Sequence, residues 1–256
     1  MAGHAAGVPI WDQQGQDIRL EWGGEGLDAL ERACAVLVIV DVLSFSTTVD
    51  LVLGRGGRVL PLDMRDERAT AAAGAVLAGQ SEWTLRPSSV VSFPPSVLLA
   101  LPSPNGATLC AAAADTEAQV LAGCLRNAPA VAQRAHRLAG DGPIGVIPCG
   151  ERWGVNVLGS ESHGPLRPCV EDHLGAGAIV AALLDHGRSA SPEARLAATA
   201  YRGTDIAVAL AECSSGRELT DGGHSRDVTL AAEVAVSTIA PTLVDGVLHD
   251  TGLSSE

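Results

Sequence analysis

The stretch Ala35–Asp50 reads AVLVIVDVLSFSTTVD, and its two halves follow different rules. An unbroken run of valine, leucine and isoleucine has the length and β-branching of a strand buried on both faces. The run stops at Asp41, and Ser44, Ser46, Thr47 and Thr48 then supply the chemistry of a helix start. The unit is therefore a buried strand, a short polar loop and a helix N-terminus. An aspartate sits at the carboxyl end of the strand, where open α/β sheets place their ligands.

The same rhythm recurs along the chain and assigns it to the α/β class. Strands are expected at 58–62, 97–101, 118–122 and 144–148. Helices are expected at 66–79, 107–114, 127–138, 171–186, 192–212 and 227–236, and a hairpin turn at Asp245 and Gly246. Residues 150–168, rich in Gly, Ser and Pro, read as one long loop. No linker divides the 256 residues, so one domain over 1–256 is expected, or two intimately packed α/β halves.

Composition narrows the chemistry. Acidic residues exceed basic ones by 30 to 17, and every basic residue is an arginine. Without lysine there is no phosphate-loop lysine, no Schiff base and no polybasic membrane patch. A net charge of −13 repels nucleic acid, so the expected partner is a small molecule whose negative charge is met locally by arginine, backbone N–H groups or a metal cation. The six cysteines are scattered, without the pairing of a zinc cage or a disulfide framework. The first residues lack a secretory pattern and no apolar run is long enough to span a bilayer, so a cytoplasmic protein is expected.

Several residues could carry that chemistry. Asp41 either caps the turn after its strand or faces a ligand. SPNGAT, Ser103–Thr108, is either an ordinary Pro-Asn-Gly turn or a second oxyanion-binding bend, with Ser103, Asn105 and Gly106 supplying hydroxyl, amide and close backbone approach. Glu171 and Asp172 open a helix, where the macrodipole favours carboxylates, but adjacent carboxylates also suit a hard cation. Asp227 is a helix cap or a further oxygen ligand. Arg126, Arg152, Arg202, Arg217 and Arg226 fall in loops or at element ends, where a guanidinium could grip an anion. Cys149 ends a strand, but the arginine that a cysteine phosphatase needs six residues later is replaced by Val155, and no serine nucleophile elbow is present.

Taken together, VIVDVLSFSTTV (38–49), SPNGAT (103–108), LAGCLRNAPAVA (121–132), VIPCG (146–150), VEDHLGAGAIV (170–180) and RDVTLAAEVAVSTIAPTLVDG (226–246) resemble the 2-phosphosulfolactate phosphatase (ComB) family. The resemblance implies a layered α/β/α fold with mixed sheets and two similar halves. It also implies a Mg²⁺-dependent phosphatase that converts 2-phosphosulfolactate to 3-sulfolactate and phosphate on the way to coenzyme M. Carried onto this chain, Asp41, Glu171, Asp172 and Asp227 are expected to be the catalytic and metal-binding carboxylates. Ser44, Ser46, Thr47, Ser103, Asn105, Gly106, Arg126 and Asn127 are expected to bind an anionic phosphoester. Members of the family often read D-V-x-R-A-S/T-T-T where this chain has Ser44 and Phe45, which removes a guanidinium and points to a related small acidic phosphomonoester as the other candidate substrate. A non-catalytic binder of phosphorylated or sulfonated acids is the alternative function. A homodimer is expected from the small residues of the helix after Glu171.

Overall fold

The computed structural model describes residues 10–153 and 164–250. From the amino end, β1 (Ile18–Leu20) and α1 (Gly23–Leu30) precede β2 (Val36–Val40), α2 (Phe45–Leu53) and β3 (Arg58–Leu62). Next come α3 (Glu67–Ala72), β4 (Val76–Leu77), β5 (Leu98–Pro102), α4 (Gly106–Ala113), β6 (Gln119–Gly123), α5 (Ala128–Ala139) and β7 (Ile144–Pro148). The short strands β8 (Glu151–Arg152) and β9 (Leu166–Arg167) lead to four helices, α6 (Val170–Leu184), α7 (Pro192–Arg202), α8 (Ile206–Glu212) and α9 (Ser214–Asp221). The last elements are α10 (Ser225–Ala231), β10 (Pro241–Val244) and β11 (Val247–Asp250).

Nine strands form one mixed sheet in the order β1-β7-β2-β6-β10-β11-β3-β5-β4. β2 lies parallel to β7 on one side and β6 on the other, and all five of its residues are buried. Its alternation separates two cores. Val36, Val38 and Val40 pack with α5, α6 and α7, while Leu37 and Ile39 face the cluster that holds Phe45, Val49, Leu99 and Leu101. Helices therefore cover both faces, giving a layered α/β/α protein.

The β10–β11 hairpin joins the two parallel limbs by antiparallel pairing, with one register pair at each seam: Thr242 with Leu121 and Leu248 with Val59. Four strands separate β2 from β5, so a flat sheet would hold them roughly 24 Å apart. Yet the turn after β5 is hydrogen bonded to Asp41 at the end of β2. The sheet must curl through the hairpin seams, and that curl brings two distant strand ends to one place.

Several expected boundaries shift. The helix expected at 66–79 stops at Ala72, because Gly74 turns the chain with φ +62° and Val76–Leu77 joins the sheet edge beside β5. The single helix expected over 192–212 is two, and Asp205 caps the second by accepting the Val208 N–H. The expected 150–168 loop pairs at its flanks as β8 and β9, and residues 154–163 lie outside the described residues. The hairpin forms at Asp245–Gly246, both with positive φ, as the tight turn between paired strands requires. Among the described residues, no helix is long and apolar enough to cross a membrane.

α6 is buried against β2, α5 and α7 along most of its length. A Cβ on Gly175 would meet Val42 at 2.5 Å, and one on Gly177 would meet the Ala197 carbonyl at 2.2 Å. These small residues serve packing inside the chain and lend no support to a homodimer contact. Gly177→Ala is expected to force α7 off α6 and destabilise the protein by about 2 kcal/mol, read as a lowered urea midpoint at unchanged slope. A midpoint equal to wild type would show that α7 yields without cost.

Candidate active site

Asp41 is 5% exposed and stands where β2 ends. Its Oδ2 accepts the Gly106 N–H at 2.8 Å and the Ser103 hydroxyl at 3.4 Å, and its Oδ1 accepts the Phe45 N–H at 3.3 Å. Gly106 is required there by close approach. A Cβ would fall 2.5 Å from the Phe45 ring and 2.7 Å from Asp41 Oδ2. Burial pushes the Asp41 carboxyl up to about 6, with the charge of Glu171 adding to it and the N–H bonds opposing it.

Asp172, in the first turn of α6, is equally committed. Its Oδ1 accepts the Val42 N–H and its Oδ2 the Gly150 N–H, each at 2.8 Å. One side chain thus ties α6 to the loops after both β2 and β7. Burial, then the charges of Asp41 and Glu171, hold its carboxyl well above the ordinary range. Glu171 beside it is 3% exposed.

A fourth carboxylate, Glu151, joins them from the turn after β7. It is half-buried, and its Oε2 accepts from Asn105 Nδ2 at 3.0 Å. Burial and the Asp41 charge push it up to about 7. Nothing in its own tripeptide marks it. Its position one turn beyond a parallel strand adjacent to β2 was the available signal. Asp41, Glu171, Asp172 and Glu151 thus gather at the carboxyl ends of β2, β5 and β7, and among the described residues none of them forms a salt bridge with an arginine or histidine.

Other expected site residues have different employment. Ser46 and Thr47 are fully buried, the Ser46 hydroxyl accepting the Asp41 N–H and Thr47 donating to the Val42 carbonyl; Thr48 donates to the Leu85 carbonyl. These hydroxyls brace the turn from inside rather than face an oxyanion. Ser44 alone of that group remains half-buried. Arg126 is occupied by Asp50 at 2.8 Å, by the Leu230 carbonyl at 3.0 Å and by Glu233, so it is a strut between α2 and α10. Asn127 is fully buried and accepts the Cys124 N–H.

Asp227 is also fully buried, but its Oδ1 accepts the Ser88 N–H at 2.7 Å and its Oδ2 has no hydrogen-bond partner. It ties α10 to the turn at 87–90, and no hydrogen bond among the described residues links it to Asp41, Glu171 or Asp172. Arg202 pairs with Asp185 at 3.5 Å on the surface, and Arg217 and Arg226 are exposed. Cys149 is 3% exposed, and burial with the charges of Asp41 and Asp172 raises its thiol well above its ordinary value, which disfavours the thiolate.

Among the described residues, no three His, Cys, Asp or Glu side chains close a ready-made metal cage. The donor set is nonetheless hard oxygen, without an arginine or histidine in salt-bridge reach among the described residues, which fits an ion that takes one or two carboxylates and completes its shell with water and phosphate.

Comparison with known proteins bears on the family of the chain. The family model described as 2-phosphosulpholactate phosphatase matches residues 98–246, which include Ser103–Gly106, Glu151, Glu171, Asp172 and Asp227. A relative from Deinococcus radiodurans, named probable 2-phosphosulfolactate phosphatase, is 29% identical over 226 residues, covering 82% of this chain and 88% of the relative.

The crowding has a measurable cost. Asp41 and Glu151 hold their protons more tightly folded than unfolded, so the stability they contribute is complete below about pH 4 and is lost as pH rises through 6 to 7. Metal-free protein is expected to lose on the order of 2 kcal/mol per carboxyl across that window, measured by urea unfolding, with Asp41→Asn flattening its share of the slope. An Asp41→Asn slope identical to wild type would contradict the assignment.

Proposed function

The chain belongs to the 2-phosphosulpholactate phosphatase family and is a phosphoric monoester hydrolase, and from that premise we propose that it hydrolyses 2-phosphosulfolactate, or a closely related small acidic phosphomonoester, with Mg²⁺ at the Asp41–Glu171–Asp172 pocket. The observation that carries this reading is the convergence of Asp41 with the adjacent pair Glu171 and Asp172, 130 residues further along the chain, beside the turns that begin α2 and α4.

Asp41 and Glu171 would hold the cation, whose chemistry when bound is to neutralise phosphate oxygens as charge develops on them. The protein's own groups supply the rest. Asp172 fixes the Val42 and Gly150 backbone, and with them the angle between the β2 and β7 turns. Ser103 and the Gly106 N–H orient Asp41, so the carboxylate meets its ligand in one geometry. Ser44, which stays half-buried at the start of α2, would donate to the substrate's anionic groups, while the Asn105 amide donates to Glu151. Water exclusion comes from the apolar neighbours of the pocket, Phe45, Cys110 and Cys149, all nearly or wholly buried.

Purified protein is expected to release phosphate from 2-phosphosulfolactate, to lose activity on chelation and to regain it with Mg²⁺. Glu171→Gln should require at least about tenfold more Mg²⁺ for half-maximal rate, since one carboxylate ligand is neutralised. Turnover that is indifferent to chelation would remove the cation. A melting temperature raised by phosphate esters that are never hydrolysed would make the protein a binder.

A further inference from the structure

The pocket holds four carboxylates, and their surroundings suit them to different tasks. Asp41 and Asp172 each accept backbone N–H groups on both oxygens, contacts that favour the anion. Both, with Glu171, are at most 5% exposed. Glu151 differs on each count. It is half-buried, so it can exchange protons with solvent, and the donor that reaches it is a side-chain amide on Oε2, which is compatible with a proton on Oε1. That amide belongs to Asn105, next to the Gly106 that holds Asp41, so Glu151 and Asp41 are tied to adjacent residues of one turn.

Hydrolysis of an alkyl phosphate monoester leaves a strongly basic alkoxide, and neither the cation ligands nor the N–H donors can protonate it. We propose that Glu151 is the general acid that protonates the departing ester oxygen, with Asn105 as the residue that positions it. This rests on the phosphatase reading above. Water forms the new bond to phosphorus as the ester P–O bond breaks. The bonding pair leaves with the ester oxygen, which takes the Glu151 proton and departs as the alcohol. The attacking water gives up one proton to solvent, and Glu151 is recharged from solvent, so atoms and charge balance.

The charged groups facing Glu151 favour its acid form, against the Asn105 amide, whose hydrogen bond favours the anion. Asp41 approaches from the end of β2, Glu171 from α6 and Glu218 from α9. Arg167, its cross-strand neighbour on β9, is turned to the Trp153 ring, 5.5 Å away, and to Cys169 Sγ at 3.3 Å. Burial, the largest influence on Glu151, favours the acid form and does not depend on whether a cation neutralises Asp41 and Glu171.

The test compares an alkyl phosphate with para-nitrophenyl phosphate, whose leaving group needs no proton, on the full chain with Mg²⁺. Glu151→Gln is expected to cut kcat on the alkyl ester by about 10²-fold, and at least about tenfold more than on the aryl ester, while Asn105→Ala shows the same selectivity in weaker form. Equal losses on both esters, or none, would overturn the role of Glu151 while leaving the phosphatase reading intact. A wild-type protein that hydrolyses neither ester would overturn both. Should Glu151→Gln fail to fold, the wild-type profile gives a second reading. Its alkaline fall in kcat should be present with the alkyl ester and absent with the aryl one, and the same limb on both esters would also sink the proposal.

Discussion

Four backbone N–H groups, from Val42, Phe45, Gly106 and Gly150, hold the carboxylates of Asp41 and Asp172. Removing two carboxylates from water is tolerable only because each oxygen is met by a donor. Those same bonds pin the β2 turn, the start of α2, the start of α4, the β7 turn and α6 to one another. Fold and site therefore share their fastenings. The curl of the sheet, which carries β5 back to β2, is secured at its open end by the Gly106–Asp41 bond.

A second polar cluster on the far side of α2 shows what the first lacks. Asp50 there is answered by Arg126 and by the Ser237 hydroxyl, so its negative charge is matched within the protein. Around Asp41 the donors are neutral, and three other carboxylates stand close. An anionic substrate approaching that group meets repulsion unless protons or a cation reduce the charge. The raised carboxyl values of this cluster follow from burial and from the mutual charge of its members, with no arginine or histidine in salt-bridge reach of them among the described residues.

Much of this was legible in the sequence, and the reasons are specific. The Ala35–Asp50 stretch gave its strand, loop and helix because burial on both faces enforces an uninterrupted apolar run. The Asp245–Gly246 turn was equally plain, because few residues adopt positive φ. Asp41 and the 103–106 turn stood out as polar groups at strand ends, and they do meet. What composition could not reveal was direction. Ser46 and Thr47 look like oxyanion donors until the helix is built, when both turn inward to satisfy the backbone. Arg126 looks like an anion clamp until Asp50, 76 residues away, claims it. Glu151 follows a strand paired with β2, but its partner Asn105 reaches it only through the curl, which depends on hairpin pairings remote from both in sequence.

The replacement at Ser44 acquires meaning in this light. A guanidinium at that position would sit at the head of α2, where this chain has a half-buried hydroxyl. Arg126 cannot substitute for it without abandoning Asp50 and Glu233, which would leave a buried carboxylate unmatched at a cost of several kcal/mol. On the proposed function, recognition of a second anionic group of the substrate would then fall to smaller donors such as Ser44, or to the cation itself. Such donors discriminate less by charge and more by hydrogen-bond geometry. A substrate with one fewer negative group would suffer less at this pocket than at one built around an arginine, and that shift follows from a single side chain rather than from any change in the fold.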